Sequence, residues 1–162
     1  MEPIRYVERL NAFYRSQGFP PYQWTVNDEA PFAPLRKPLA QCRVSMLTAG
    51  GVSRCAAAPW DPNARNDLRL DEIAPDAPSD DFQIHDAYYD HRDADRDLNC
   101  LFPIDRLREL AAEGVVGEVA PRIWSGFMGR IYKRRAVVED AAPALAAKLG
   151  EDEVDLFLLV PA

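Results

Sequence analysis

Residues Val154–Val160 read VDLFLLV, a nearly continuous apolar run of strand length. A strand that buries one face alternates apolar and polar residues, whereas a continuous run is typical of a strand covered on both faces. Strands of that kind occur mainly in parallel sheets flanked by helices. The segment therefore predicts a parallel sheet.

Other segments predict further strands. Cys42–Leu47 alternates and then becomes apolar before Thr48-Ala49-Gly50-Gly51, the pattern of a core strand that ends in a tight turn. Shorter candidates are residues 68–70, 82–84 and 115–119. The aromatic and glycine-containing segment Ile123–Gly129 is predicted to be a loop, which either lines a pocket or folds back on the core.

Three segments have helical periodicity. The predicted helices span about residues 3–17, 103–113 and 137–149. Gly18, Gly114 and Gly150 follow them as stop signals. In the last helix, Pro143 either lies near the true start or kinks the helix.

The alternation of strands and helices predicts an α/β fold with a mostly parallel sheet flanked by helices in three layers. At 162 residues, one domain is expected. Residues 1–39 would form an N-terminal helix and an extended arm rich in proline and aromatic residues, and residues 40–162 would form the core.

Composition excludes several classes of function. The formal net charge of −7 disfavours binding to nucleic acid. The longest apolar run is too short to cross a bilayer, and the charged N-terminus lacks the features of a secretory signal. We therefore expect a cytoplasmic protein with no nucleic-acid or membrane partner.

The three cysteines are Cys42, Cys55 and Cys100, and no two of them have CxxC spacing. An odd number without that spacing argues against a disulfide framework and against a structural zinc site. We expect reduced thiols, with Cys42 as a small core residue.

Ile84–Phe102 concentrates the groups that can do chemistry. Its nineteen residues contain both histidines of the protein, His85 and His91, together with five aspartates and two tyrosines. A histidine with a nearby carboxylate is the usual general acid/base pair, and histidine with carboxylates also suits a metal. The alternative is a solvated loop whose Asp97 and Asn99 make turn hydrogen bonds. Leu98 and Ile104 stand where a calcium loop requires glycine and glutamate, which excludes calcium.

Two smaller features carry weaker indications. Gly50 and Gly51 follow a strand and either expose backbone N–H groups to an anion or form a plain tight turn. Cys100 is a candidate reactive thiol near His91.

Several of these segments resemble the selenoprotein B component of glycine, sarcosine, betaine and D-proline reductases. The resemblance runs from about Cys42 onward. Its most specific part is the block YYDHRDADRDLNCLFPIDRLRELAAEGVVGEVAPR at residues 88–122; the other parts are LTAGGV (47–52), GFMG (126–129) and VDLFLLVPA (154–162).

The resemblance implies that a thiolate or selenolate attacks carbon and reductively cleaves the C–N bond of a small amino acid or amine. It also implies a cysteine or selenocysteine just after Ala162, no cofactor in this chain itself, and a pyruvoyl group on another subunit of a reductase complex. Either the chain is truncated or a selenocysteine codon was read as a stop, and the downstream nucleotide sequence distinguishes the two.

The resemblance also suggests roles for individual residues. His85, His91 and Cys100 are the candidate catalytic residues. The candidate substrate-binding residues are Gly50, Gly51, Tyr89, Asp90, Asp97 and Asn99. Two alternatives stay open, a non-catalytic binding or assembly subunit and a metal-dependent enzyme that uses His85, His91 and Cys100.

Overall fold

The computed structural model describes residues 3–21, 26, 28–29 and 31–161. The chain divides into two compact units, residues 1–34 and 35–162, which we describe separately. The first unit contains helix α1 (Tyr6–Ser16), so the helix predicted near the N-terminus is confirmed. After α1, the ring of Phe19 packs edge-to-face on Tyr14 at 6.1 Å. The predicted arm also includes Tyr22 and Trp24, which lie outside the described residues.

The second unit contains the sheet and the remaining helices. A π-helical turn at Val137–Ala141 joins its second and third helices. Its elements in chain order are β1 (Arg43–Thr48), β2 (Val52–Arg54), β3 (Leu70–Ile73), β4 (Phe82–Ile84), α2 (Ile104–Ala112), β5 (Glu118–Val119), β6 (Ile123–Gly126), α3 (Arg134–Ala136), α4 (Ala142–Glu151) and β7 (Leu156–Val160).

Strand β1 is the centre of the main sheet. Strand β7 pairs with it in parallel from Val44↔Leu156 to Thr48↔Val160, while β5 and β6 pair in parallel with its two ends. Strand β3 adds to β6 in the antiparallel direction, and β2 and β4 form a separate antiparallel pair. The predicted α/β class with a mostly parallel sheet is confirmed, and the three-layer arrangement stays a prediction.

Successive residues of β1 enter different hydrophobic clusters, as the two-residue period of a strand requires. Val44 and Met46 belong to a large cluster that includes Phe102 and residues of α2. Leu47 instead clusters with Trp124 of β6 and Leu145 of α4. Strand β1 is therefore the link between the two main parts of the core.

Buried hydroxyl groups on the central strands are hydrogen-bonded. Ser45 donates to the carbonyl of Arg122 at 2.8 Å, and Ser125 donates to the carbonyl of Val52 at 2.6 Å. The Thr48 hydroxyl accepts from the N–H of Gly50 at 3.2 Å. These bonds remove much of the cost of burying polar groups in the sheet.

Three expectations need correction. Residues Ile123–Gly126 form a fully buried strand, whereas we expected the whole segment to be a loop. Strand β7 is not covered throughout, since Leu158 is 38% and Leu159 is 68% exposed at the edge of the sheet. The last helical segment begins at Arg134, continues through the π-helical turn and passes Gly150 to end at Glu151, and Pro143 lies in the first turn of α4.

Within the residues that the structure describes, no helix combines the length and apolarity needed to cross a membrane.

Substitution of Phe102 tests the packing of the larger hydrophobic cluster. The Phe102 ring is fully buried and packs edge-to-face on Phe82 at 5.5 Å. Replacing Phe102 by alanine should lower the free energy of unfolding by about 3–5 kcal/mol, because a cavity remains. Denaturant unfolding measures the change, with Leu110→Ala on the more exposed face of α2 as the control. Equal losses in both variants would contradict the packing.

Candidate functional site

Strands β1, β6 and β7 end at the same edge of the sheet. Their last residues are Thr48, Gly126 and Val160, and the N–H of Ala49 donates to the carbonyl of Val160 at 3.2 Å. Ligands in α/β sheets bind at the carboxyl ends of the strands, where the connecting loops meet. The loops at residues 49–51 and 127–129 are therefore the place to seek a site.

A cavity of about 220 Å³ opens there. Both loops contribute to it, together with the first part of the 84–102 stretch and one residue beyond the second loop. Its lining consists of Ala49, Asp86, Tyr88, Tyr89, Phe127, Gly129 and Arg130.

Two glycines allow the walls of this cavity to approach each other. Gly51 has φ +68°, and a Cβ there would lie 2.5 Å from the carbonyl oxygen of His85. Gly129 has φ +80°, and a Cβ there would collide with the backbone carbonyl of Ala64. Any other residue would be strained and would push these segments apart.

Tyr89 joins the 84–102 stretch to the end of β1. Its hydroxyl donates to the carbonyl of Gly50 at 2.8 Å. Burial raises the pKa of this phenol, and the negative charges of Asp86 and Asp95 raise it further. Tyr89 is therefore a neutral hydrogen-bond donor throughout the physiological range.

His91 forms a pair with a carboxylate beside Tyr89. Its Nδ1 lies 2.9 Å from Oδ1 of Asp95, and its ring contacts Tyr89 edge-on at 5.9 Å. A carboxylate at Nδ1 holds the proton on that nitrogen and leaves Nε2 for exchange. His91 does not line the cavity itself.

His85 lies behind the cavity wall. Its backbone N–H donates to the carbonyl of Gly51 at 3.0 Å. Its Nδ1 is buried and has no hydrogen-bond partner among the described residues. The structure therefore leaves one histidine nitrogen without a protein partner close to the site.

Three other predicted site residues make turn and helix-start contacts instead. Asp97 accepts from the backbone N–H of Asn99 at 3.0 Å, and Asn99 bonds to Asp105 in the first turn of α2. The pKa values of Asp97 and Asp105 are lowered mainly by the Asn99 amide. Asp90 pairs with Arg92, whose guanidinium lowers the pKa of that carboxyl.

The predicted residues thus separate into two groups. Gly50, Gly51 and Tyr89 form or support the cavity, and both histidines lie next to these residues. The others do not line it: Asp90, Asp97, Asn99 and the exposed Cys100.

Sequence reasoning did not single out three lining residues, namely Asp86, Tyr88 and Arg130, whereas Phe127 and Gly129 belong to the segment for which a pocket-lining role was one of two expectations. Phe127 directly follows β6, so a strand assignment for residues 123–126 would have placed it at the carboxyl edge. Tyr88 and Arg130 stack through a cation–π contact of 4.5 Å, which no local sequence pattern indicates.

The described part of the chain contains no group of three or more His, Cys, Asp or Glu side chains placed to hold a metal ion.

Residues 20–162 match the family described as glycine/sarcosine/betaine reductase selenoprotein B. The chain belongs to this family. The D-proline reductase subunit gamma of Acetoanaerobium sticklandii is 36% identical over 140 residues, which cover 86% of this chain and 53% of that protein. The chain therefore spans about half the length of this curated relative. No solved structure matches the chain.

Membership of the selenoprotein B family confirms the resemblance noted in the sequence. The match begins at residue 20 and so reaches further into the arm than the motifs after Cys42 indicated. It includes the whole cavity lining.

Tyr89→Phe should destabilise the protein by about 1 kcal/mol, because the carbonyl of Gly50 loses its hydroxyl donor. The folded-state pKa of Tyr89 is raised, so its contribution is complete below the ordinary tyrosine pKa of about 10 and is lost as pH rises through the folded value. Unfolding at neutral and alkaline pH measures both effects, with the exposed Tyr132→Phe as control. An unchanged stability in Tyr89→Phe would exclude this hydrogen bond.

Gly129→Ala tests the close approach at the cavity wall. Both Gly129 and Gly114 have positive φ, but only at Gly129 would an added Cβ have neighbours within 4 Å. Gly114→Ala should therefore cost about 1–2 kcal/mol from backbone strain alone, and Gly129→Ala should cost more. Thermal or denaturant unfolding of the two variants gives the difference, and equal costs would rule out the close approach.

Proposed function

We propose that the chain acts in a reductase of this family, in which it contributes to reductive cleavage of a C–N bond in a small amino acid or amine. The observation that carries the proposal is the cavity at the carboxyl edge of the sheet, beside the end of β7. Such an edge is where α/β enzymes gather catalytic groups.

The hydrogen bond from Ala49 to Val160 supports the position of the nucleophile. Ala49 lines the cavity, so residues that follow β7 would emerge beside it. The proposal places a cysteine or selenocysteine just after Ala162. Its thiolate or selenolate suits attack on carbon because it is ionised near neutral pH and strongly nucleophilic.

The reaction takes up two electrons and two protons. Attack by the thiolate or selenolate forms a bond from carbon to sulfur or selenium as the C–N bond breaks, and the nitrogen leaves with the bonding electron pair and takes a proton. A second thiol then attacks that sulfur or selenium, so the new bond to carbon breaks, the carbon keeps the electron pair and takes a proton, and the two chalcogens end as an oxidised pair. Since this chemistry needs reduced thiols, we propose a cytoplasmic location.

Other subunits are part of the proposal. The D-proline reductase relative is named as a subunit, and the present chain spans about half its length. We propose that a partner subunit carries a pyruvoyl group, which activates the substrate amine. This chain alone would then be inactive.

The chain's own residues would bind the substrate and move protons. His91, which is oriented by Asp95 and contacts the lining residue Tyr89, would orient the substrate or protonate the leaving nitrogen from beside the cavity, and Tyr89 would remain a neutral donor in the wall. His85 would orient substrate or leaving group, with Gly50 and Gly51 shaping the pocket floor. The exposed Cys100 is proposed as an auxiliary thiol, with Asp90, Asp97 and Asn99 supporting the loop.

One observation favours the alternative of a binding or assembly subunit. Strand β7 is an edge strand on which Leu158 and Leu159 are partly exposed, and exposed apolar edge strands pair readily with other chains. In that case the complex would form without any dependence of turnover on the cavity residues.

The test is turnover by the extended chain together with its pyruvoyl-bearing partner, with a dithiol as electron donor. His91→Ala should lower kcat about a hundredfold or more, since a group that orients or protonates the substrate is lost. His85→Ala should also lower turnover. Both should leave the unfolding transition nearly unchanged.

Asp93→Asn is the matched control, because its carboxylate is 86% exposed on the same stretch. It should retain full turnover. If the two histidine variants turn over like Asp93→Asn, the stretch is a solvated loop and the catalytic assignment is wrong.

A further inference from the structure

Two side chains of opposite charge line the cavity at the carboxyl edge, and neither is ion-paired within the described part of the chain. They are Asp86, which follows β4, and Arg130, which follows the loop after β6. The other charged groups near Tyr89 are already paired, Asp95 with His91 and Asp90 with Arg92. The cavity therefore presents one acceptor and one donor of full charge.

Asp86 is 7% exposed. Its Oδ1 accepts the backbone N–H of Tyr88 at 2.7 Å, which orients the carboxylate, and no cationic side chain among the described residues pairs with it. A buried carboxylate without a counter-ion is costly, unless a ligand supplies the positive charge. An ammonium group in the cavity would do so.

Arg130 is oriented by its surroundings. Its guanidinium stacks on the Tyr88 ring at 4.5 Å, and its carbonyl accepts from the N–H of Asn66 at 2.9 Å. The guanidinium makes no hydrogen bond to another described residue, and the edge of a guanidinium plane is the part that binds a carboxylate through two parallel hydrogen bonds.

Tyr88 connects the two charged groups. Its N–H holds Asp86, its ring supports Arg130, and its hydroxyl donates to the carbonyls of Asn63 and Ala64 at 2.9 and 3.2 Å. One residue thus positions both charged groups, through its backbone N–H and its ring, while its hydroxyl is bonded to the chain at Asn63 and Ala64. A preformed separation favours ligands that carry both charges at a matching distance.

We propose that this cavity binds the zwitterionic head of a small α-amino acid, with the ammonium at Asp86, the carboxylate at Arg130 and the side chain against Phe127. A volume of about 220 Å³ suits a ligand of that size and is too small for a nucleotide cofactor. The inference rests on the proposed function, because it assigns the substrate head to the same cavity, and it names two residues as specificity determinants.

The experiment is a binding titration of this chain, followed by calorimetry or NMR, and it requires neither the partner subunit nor turnover. The probes are D-proline, pyrrolidine, which keeps only the amine, and tetrahydrofuran-2-carboxylate, which keeps only the acid. D-Proline should bind more tightly than either fragment.

Variants of Arg130 and Asp86 show which residue binds the carboxylate and which binds the amine of the ligand. Arg130→Met should weaken D-proline and tetrahydrofuran-2-carboxylate about tenfold or more and leave pyrrolidine unchanged, since a charged hydrogen-bonded pair is lost. Asp86→Asn should weaken D-proline and pyrrolidine and leave the acid unchanged. Arg130→Lys, which keeps the charge without the planar fork, should lie between.

Arg92→Met is the control, because its guanidinium pairs with Asp90 and does not line the cavity. It should bind all three probes normally. Circular dichroism of each variant establishes that the fold is retained, and the Arg130→Lys result stands if Arg130→Met unfolds.

The inference is overturned if D-proline shows no saturable binding, or if both variants weaken all three probes equally. Binding with the expected pattern but without turnover in the complete complex would contradict the proposed function and still support the amino-acid site. Turnover in the complex without the charge pattern would support the proposed function and contradict the assignment of Asp86 and Arg130.

Discussion

Two-sided hydrogen bonding of β1 is the constraint on which the rest of the fold depends. Strand β7 occupies one side of it along five residue pairs, and β5 and β6 share the other side. All four strands run in the same direction; β5 pairs only with the first residues of β1, whereas β1, β6 and β7 end at the same edge. The loop after β1, the loop after β6 and the end of β7 must then meet, whatever residues they contain.

The 84–102 stretch divides into two parts with different roles. Its first part, with Asp86, Tyr88 and Tyr89, closes the cavity against Gly51 and the end of β1. Its last part turns the chain into α2 through the Asp97 and Asn99 hydrogen bonds, and Leu101 and Phe102 then enter the core. The buried end holds in place the end that lines the cavity, so the polar groups of the stretch do not all lie at one site.

The cavity brings polar groups of several kinds together at one edge of the sheet. Its walls contain a neutral phenol, an aspartate and an arginine, which can bind a polar ligand. A histidine–aspartate pair, which can transfer protons, lies next to the phenol. Family membership and the relative named as a reductase subunit support the proposed role in a reductase. Arg122 connects the end of α4 to the sheet, since its guanidinium bonds to Asp152 and stacks on the ring of Trp124 in β6.

The sequence by itself determined the α/β class, the helices α1 and α2 and the strands β1 and β7, because these follow from local periodicity and stop signals. It also identified Tyr89 and the Gly50-Gly51 turn. Only the tertiary structure decided that residues 123–126 are a strand and that Asp86 and Arg130 share a cavity. The physical reason is that these features depend on pairing and close backbone approach between segments far apart in the chain, at Gly51 and Gly129, and local patterns do not encode such contacts.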